Sequence, residues 1–298
     1  MERLPNRYRD NRENGKTILR QTQLVELHLL HVLNELCVRH RLKCYLAGGT
    51  LLGAVRHKGF IPWDDDLDVY IFREDYEKLL DILPHELPED VYFEDETFLR
   101  KENGLPRFKD NYSTAIQYSS SRRLLVNDHN GIYIDIYILD KANCQSRIAL
   151  WIHRRLITSS VAYRHNCFGP IRFYDIGKRM YFGAKMLIYS LMWGLYQSVS
   201  KEKKQRVCHL TASQREIYDE DMFHAPDNDK EIQLEFEDAS FLVPYKYDKI
   251  LSIYYGDYMR LPPEDARVGY FDIKLPFVKC LHPAAIDWFN AKEKERGK

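Results

Sequence analysis

Residues 62–73 read PWDDDLDVYIFR, and this stretch sets the hardest condition that a fold of this chain must meet. Four carboxylates, Asp64, Asp65, Asp66 and Asp68, run directly into the strand-forming VYIF. In a strand, side chains at i, i+2 and i+4 share a face, so Leu67, Val69 and Ile71 point into a core. Asp66, Asp68 and Tyr70 then point the other way, joined by Asp64 if the chain is already extended there, while Asp65 is expected to face solvent. At separations near 4 Å and an effective dielectric near 20, each like-charged pair costs about 4 kcal/mol. Water offsets that cost in an open loop. Here the apolar run draws the strand into the fold, and a divalent cation is the better explanation. An oxygen-only donor set suits Mg²⁺, with Mn²⁺ as a second choice.

A second run has the same character. In GIYIDIYIL, residues 131–139, the isoleucines 132, 134, 136 and 138 line one face and Tyr133, Asp135 and Tyr137 the other. A lone Asp inside a strongly strand-forming segment needs a partner or a metal. If the two strands are neighbours, Asp135 completes the cluster begun by Asp66 and Asp68.

Upstream, the strand candidate KCYLA (43–47) meets Gly48-Gly49, and Thr50 is placed to cap a short helix, TLLGAVRH, that stops near Gly59. GGTLLG is not the dinucleotide fingerprint, because its third position is Thr50, and no Gly-Lys pair makes it a Walker A loop. Strand, Gly-Gly and helix still present free backbone N–H groups at a helix N-terminus, a geometry suited to phosphate. Gly48, Gly49 and Thr50 are therefore candidate substrate-binding residues, with Arg56 beyond them and the pair Arg107 and Lys109 sharing one face of RFKD. His57 reads equally as a surface or a catalytic residue. His28 and His31 have helical i, i+3 spacing but no third ligand, so zinc is not expected there.

The remaining chain reads as an apolar-periodic helix from about Ile18 to His40, a helix EDYEKLLDIL ending before Pro84, and strands VYFE, LPRFKD and TAIQYS. Helices follow at about Arg147–Arg164, Lys178–Val199 and Glu202–Tyr218, then a strand-like FEDASFLVP and a helix from Tyr245 to Gly256. This pattern predicts a mixed α+β fold, with a catalytic core over 1–145 and a mainly helical region over 146–298 that completes it and forms the acceptor site. The segment Met186–Val199 is apolar nearly all round; we expect a buried helix, the alternative being peripheral contact with a membrane surface. Lys+Arg and Asp+Glu are equal at 44 each, which excludes a non-specific nucleic-acid binder. The six cysteines form no C-x-x-C pair and are expected to be reduced. The polar opening MERLPNRYRDNRENGK lacks the apolar core of a signal peptide, so a cytoplasmic location is expected, with the inner membrane face as the site of any membrane contact.

The run LAGGTLLGAVRHKGFIPWDDDLDVYIFREDYEKL closely resembles the LicD family, the lipopolysaccharide cholinephosphotransferases. The resemblance continues in RFKDNYST, GIYIDIYILD and VPYKYDKILSIYYGDYMRLPP, from about Leu24 to Arg267 with a divergent middle. It implies a nucleotidyltransferase-type core in which Gly48-Gly49 form the turn, Asp66 and Asp68 the D-x-D strand, and Asp135 the third acid. It further implies transfer of a phospho-alcohol, often phosphocholine from CDP-choline, to a hydroxyl of a glycan or lipid-linked glycan, with release of CMP. The family's basic strand motif commonly reads K-x-R, whereas Arg107 and Lys109 stand here in the reverse order, and the two side chains are not equivalent. Two other readings fit the same residues: a nucleotidyltransferase that moves the nucleoside monophosphate itself, and a non-catalytic nucleotide- or glycan-binding protein.

Overall fold

The structure, a computed structural model, describes residues 10–95, 105–116, 129–141, 147–167, 173–199, 206–209, 217–226, 230–267, 269 and 273–279. It opens with α1 (Ile18–Arg39), whose start is fixed by Thr17, the side chain of which accepts the Arg20 N–H. Val25, Leu29, Leu33 and Leu36 form its buried stripe. After it come β1 (Cys44–Leu46), α2 (Gly48–His57), β2 (Asp68–Phe72), α3 (Arg73–Glu86), β3 (Val91–Glu94), β4 (Arg107–Asp110), β5 (Thr114–Ile116) and β6 (Tyr133–Lys141).

The central sheet is mixed, in the order β1-β2-β6-β4-β3, with β2 and β6 parallel and the other neighbouring pairs antiparallel. The fold is thus α+β. One face of β2 and β6 buries Val69, Ile71, Ile134, Ile136 and Ile138. On the opposite face Tyr70 meets Phe223 edge-on at 5.7 Å, and Tyr137 meets His209 at 4.8 Å. Aromatic packing therefore closes the far end of this face and leaves its near end to the acids.

α4 (Arg147–Cys167) and α5 (Phe173–Val199) pack against each other as a helical pair. Trp193 and Tyr196 of α5 pack against Ala149 and Cys208. The chain then re-enters the sheet at β7 (Arg206–Cys208), paired with the end of β6 and with β8 (Tyr218–Asp219). A hairpin of β9 (Ile232–Phe236) and β10 (Ala239–Val243), helix α6 (Tyr247–Tyr255) and β11 (Ile273–Leu275), which pairs with β5, complete the described elements. Phe236, Phe241, Val243, Ile250 and Leu251 enter the same core as α1 and β2.

Several expectations are corrected. The helix expected over Glu202–Tyr218 is instead strand at β7 and β8 in its described parts, because pairing with the end of β6 buries Val207 and Cys208 and overrides local propensity. α3 runs through Pro84, whose fixed φ suits a helix and which, near the end, forfeits a single bond. FEDASFLVP is not one strand but parts of both strands of a hairpin, turned at Glu237 with φ 58. Most notably, α5 is not buried: Leu187, Leu191 and Leu195 are each more than 60% exposed. Its periodicity spreads apolar residues around the whole helix, and α4 covers only one side. Cys37, Cys44 and Cys208 are buried and in no disulfide, while Cys144 and Cys280 lie outside the described residues.

Candidate active site

Strand register builds the site. The parallel β2–β6 pair sets Asp68 opposite Asp135, and the antiparallel β4–β6 pair sets Arg107 opposite the same Asp135. Residues paired directly across a sheet point to the same face, so the three form one row over three strands. Arg107 donates Nε–H to Asp135 Oδ1 at 2.6 Å, and its guanidinium lies 4.0 Å over the Tyr133 ring. Burial opposes the Arg107 charge, but Asp135, Tyr133 and Glu94 together outweigh it and hold the guanidinium above its ordinary pKa. Strand β2 proper starts at Asp68 rather than Asp66, yet the Asp135 N–H bonds Leu67 O, so the chain is already extended there.

The glycine turn and the acids are one construction. Gly48 has φ +47, and a Cβ on it would stand 2.8 Å from Asp68 Oδ2; a Cβ on Gly49 would stand 2.7 Å from Asp64 Oδ2. Both carboxylates thus lie directly over the backbone that starts α2, where its dipole favours negative charge. Thr50 does not cap the helix. It lies inside α2, buried, and its Oγ1 accepts the Asp68 N–H at 2.8 Å, so its hydroxyl is spent on holding β2.

Burial pushes the Asp66 carboxyl up to about 7, with Lys274 pulling it down and Asp65, Asp64 and Asp135 pushing it further up. Burial likewise raises Asp64 to about 6 and moves Asp68 well above the usual carboxylate range, the latter reinforced by Asp135 and Asp66. Ionisation of these groups is therefore costly, because they are buried beside one another and the cations near them offset only part of their charge. Asp65 is corrected: it is buried rather than solvent-facing, with Oδ2 3.4 Å from Lys274 Nζ. Lys274 on β11 also donates to Glu26 Oε1 at 3.1 Å and to Asp65 O, and stands 3.7 Å from Asp66 Oδ1. Burial opposes its charge, but Glu26, Asp66 and Asp65 raise its pKa above the ordinary range. Sequence reasoning missed Lys274 and Glu26. IKL carries no motif, and only the β11–β5 pairing brings it to the acids.

The basic candidates divide. Arg107 and Lys109 share a face, as the strand period requires, but the Lys109 ammonium is engaged by Glu94 Oε2 at 2.7 Å and His129 O at 2.9 Å, with 1% of its side chain exposed. It is closed off by a partner the sequence did not reveal. Arg56 sits eight residues from the start of α2, about 12 Å along the axis, and donates to Tyr258 O and to His57 Nε2. His57 meets Trp63 edge-on at 6.3 Å. His28 and His31 each bond a separate acid, Asp90 and Asp238.

Among the described residues, no three His, Cys, Asp or Glu side chains converge as a ready metal cage. The donor set nevertheless fits a hard divalent cation in its chemistry. Asp64, Asp66, Asp68 and Asp135 offer oxygen alone, remain partly accessible, and repel one another in the absence of positive charge.

Residues 41–181 match the family described as LicD/FKTN/FKRP, nucleotidyltransferase domain. The chain is 31% identical over 269 residues to the lipopolysaccharide cholinephosphotransferase LicD of Haemophilus influenzae, covering 84% of this chain and 94% of that one. Uncharacterized proteins of Rickettsia prowazekii and Rickettsia typhi are 53% and 51% identical over 51 residues, 17% of this chain and 19% and 16% of theirs.

Proposed function

The chain belongs to the LicD family and is a transferase of its type, and on that footing we propose that it moves phosphocholine, or a similar phospho-alcohol, from a CDP-linked donor to a hydroxyl of a cell-surface glycan precursor. The observation that carries this reading is the row Asp68–Asp135–Arg107 across three strands, with the α2 N-terminus beneath it. Asp66, Asp68 and Asp135 would hold Mg²⁺ or Mn²⁺, with Asp64 assisting. When bound, such an ion neutralises the donor's diphosphate.

The residues of the chain do the rest. The backbone N–H groups of Gly48, Gly49 and Thr50 open α2, which suits them to an anionic oxygen of the donor. Arg107, pinned between Asp135 and Tyr133, is a fixed cation beside the acids. The acceptor hydroxyl attacks the phosphorus distal to the nucleoside, the P–O bond to CMP breaks, and CMP leaves with the electron pair. A carboxylate of the cluster accepts the hydroxyl proton. Catalysis of this kind rests on positioning and charge stabilisation.

The domain description also admits a nucleotidyltransferase, which would release pyrophosphate from a nucleoside triphosphate. Product analysis separates the two: CMP formed from CDP-choline, dependent on Mg²⁺ and on an acceptor glycan, supports phosphocholine transfer. Pyrophosphate formed from a nucleoside triphosphate, with CDP-choline inert, refutes it. Nucleotide binding without turnover of either would mark a binding protein.

A further inference from the structure

α5 carries an apolar row where a helix of a water-soluble protein carries charge. Met180, Leu187, Ile188, Leu191, Leu195 and Val199 are 55–79% exposed. At 100° per residue they occupy one continuous side of the helix, and between Met180 and Val199 the only charged residue is Lys185. α4 extends the surface with Ile148 and Trp151, 70% and 46% exposed, and Trp151 meets Tyr189 of α5 edge-on at 5.8 Å. Exposed apolar surface of this extent marks an interaction site.

Charge identifies the partner. Residues 147–199 hold eight Lys or Arg and one acid, Asp175, although the whole chain is neutral. The remainder of the chain is therefore acidic by seven charges. Arg155 lies over the Trp151 ring at 5.7 Å and Lys185 over the Tyr181 ring at 4.7 Å, so these cations flank aromatics on the helix pair. Apolar side chains flanked by Trp, Tyr and long cationic side chains suit the boundary between acyl chains and head groups. Among the described residues no helix is long and apolar enough to cross a membrane. A second copy of this chain placed symmetrically on this face would oppose one cationic surface to another.

We propose that the α4–α5 pair docks on an anionic phospholipid surface, lying in its plane with the Leu187–Leu191–Leu195 row below the head groups and Arg155 and Lys185 at their phosphates. This stands apart from the transferase reading, because it predicts lipid binding whatever the reaction.

The test is flotation of the full chain with vesicles of phosphatidylglycerol and phosphatidylethanolamine, against vesicles of phosphatidylcholine alone. The wild type is expected to float with the anionic vesicles and remain behind with the neutral ones. The double variant L191E/L195E is expected to lose at least about tenfold in binding with an unchanged circular-dichroism melt, since both side chains are exposed. R155E/K185E, a second and independent variant, is expected to weaken binding and to leave the residue of it less sensitive to salt. Failure of the wild type to float, or wild-type binding by both variants, overturns the proposal. So does a dimer in light scattering that L191E/L195E abolishes, because the face would then be covered by a second copy.

Discussion

Replacing Asp68 by Asn is expected to stop turnover while making the ligand-free protein more stable. Asp68 and Asp135 are directly paired on adjacent strands. Strand spacing places such groups about 5 Å apart, which at an effective dielectric near 20 amounts to about 3 kcal/mol of repulsion. Arg107 offsets part of this through Asp135, leaving a gain on neutralisation of about 1–2 kcal/mol, or about 2–8 °C in Tm for a chain of this size. The sign depends on pH. The Asp68 carboxyl is raised in the folded state above its unfolded value, so its cost is absent below the unfolded pKa and grows to full size as the pH rises through the folded pKa. Differential scanning fluorimetry with EDTA should show a gain at pH 8 that shrinks steadily as the pH is lowered toward the unfolded carboxylate range. Saturating Mg²⁺ should reverse the order at pH 8, because the variant loses a ligand. CMP release should fall by at least about a hundredfold. An Asn variant less stable than wild type in EDTA at pH 8, or one that turns over within tenfold of it, would refute the reasoning.

Gly48→Ala combines a strained φ with displacement of Asp68, and is expected to cost about 1–2 kcal/mol in chemical denaturation and about a hundredfold in turnover. Gly49→Ala displaces Asp64 without the positive φ, so its turnover should fall more than its stability; equal Tm losses for the two would contradict this. Mg²⁺ binding must release protons from Asp64 and Asp66, raised to about 6 and about 7, so the Mg²⁺-induced rise in Tm should grow from pH 6 to pH 8, and a flat response would count against a carboxylate site. Lys274→Met removes the cation beside fully buried Glu26 and is expected to cost about 3 kcal/mol in urea denaturation. Adding Glu26→Gln should restore at least half of that loss, and no restoration would show that the pairing is not what matters.

What the sequence revealed and what it withheld follow from range. The two-residue strand period sorted Leu67, Val69 and Ile71 from Asp66 and Asp68, and the isoleucines of β6 from Asp135, because alternation is a local property. It also put Arg107 and Lys109 on one face. It could not show that Glu94, across the β3–β4 ladder, takes up Lys109, or that Lys274 draws Asp65 inward, because those partners depend on strand pairing. The helix expected near residue 206 failed for the same reason, its backbone being claimed by β6. α5 misled in another way: an all-round apolar helix reads as buried whether its partner is protein or something else.

The position of Lys274 has a consequence for the order in which the protein is made. It answers Asp65 across 209 residues of chain. At about 5–20 residues per second, a ribosome needs about 10–40 s to deliver it after the acids have emerged. Until then the loop of Asp64, Asp65 and Asp66 that leads into β2 must wait without the lysine that anchors it. A nascent chain arrested before residue 274 would hold every acid and glycine of the site, yet its acidic loop would still be unmoored.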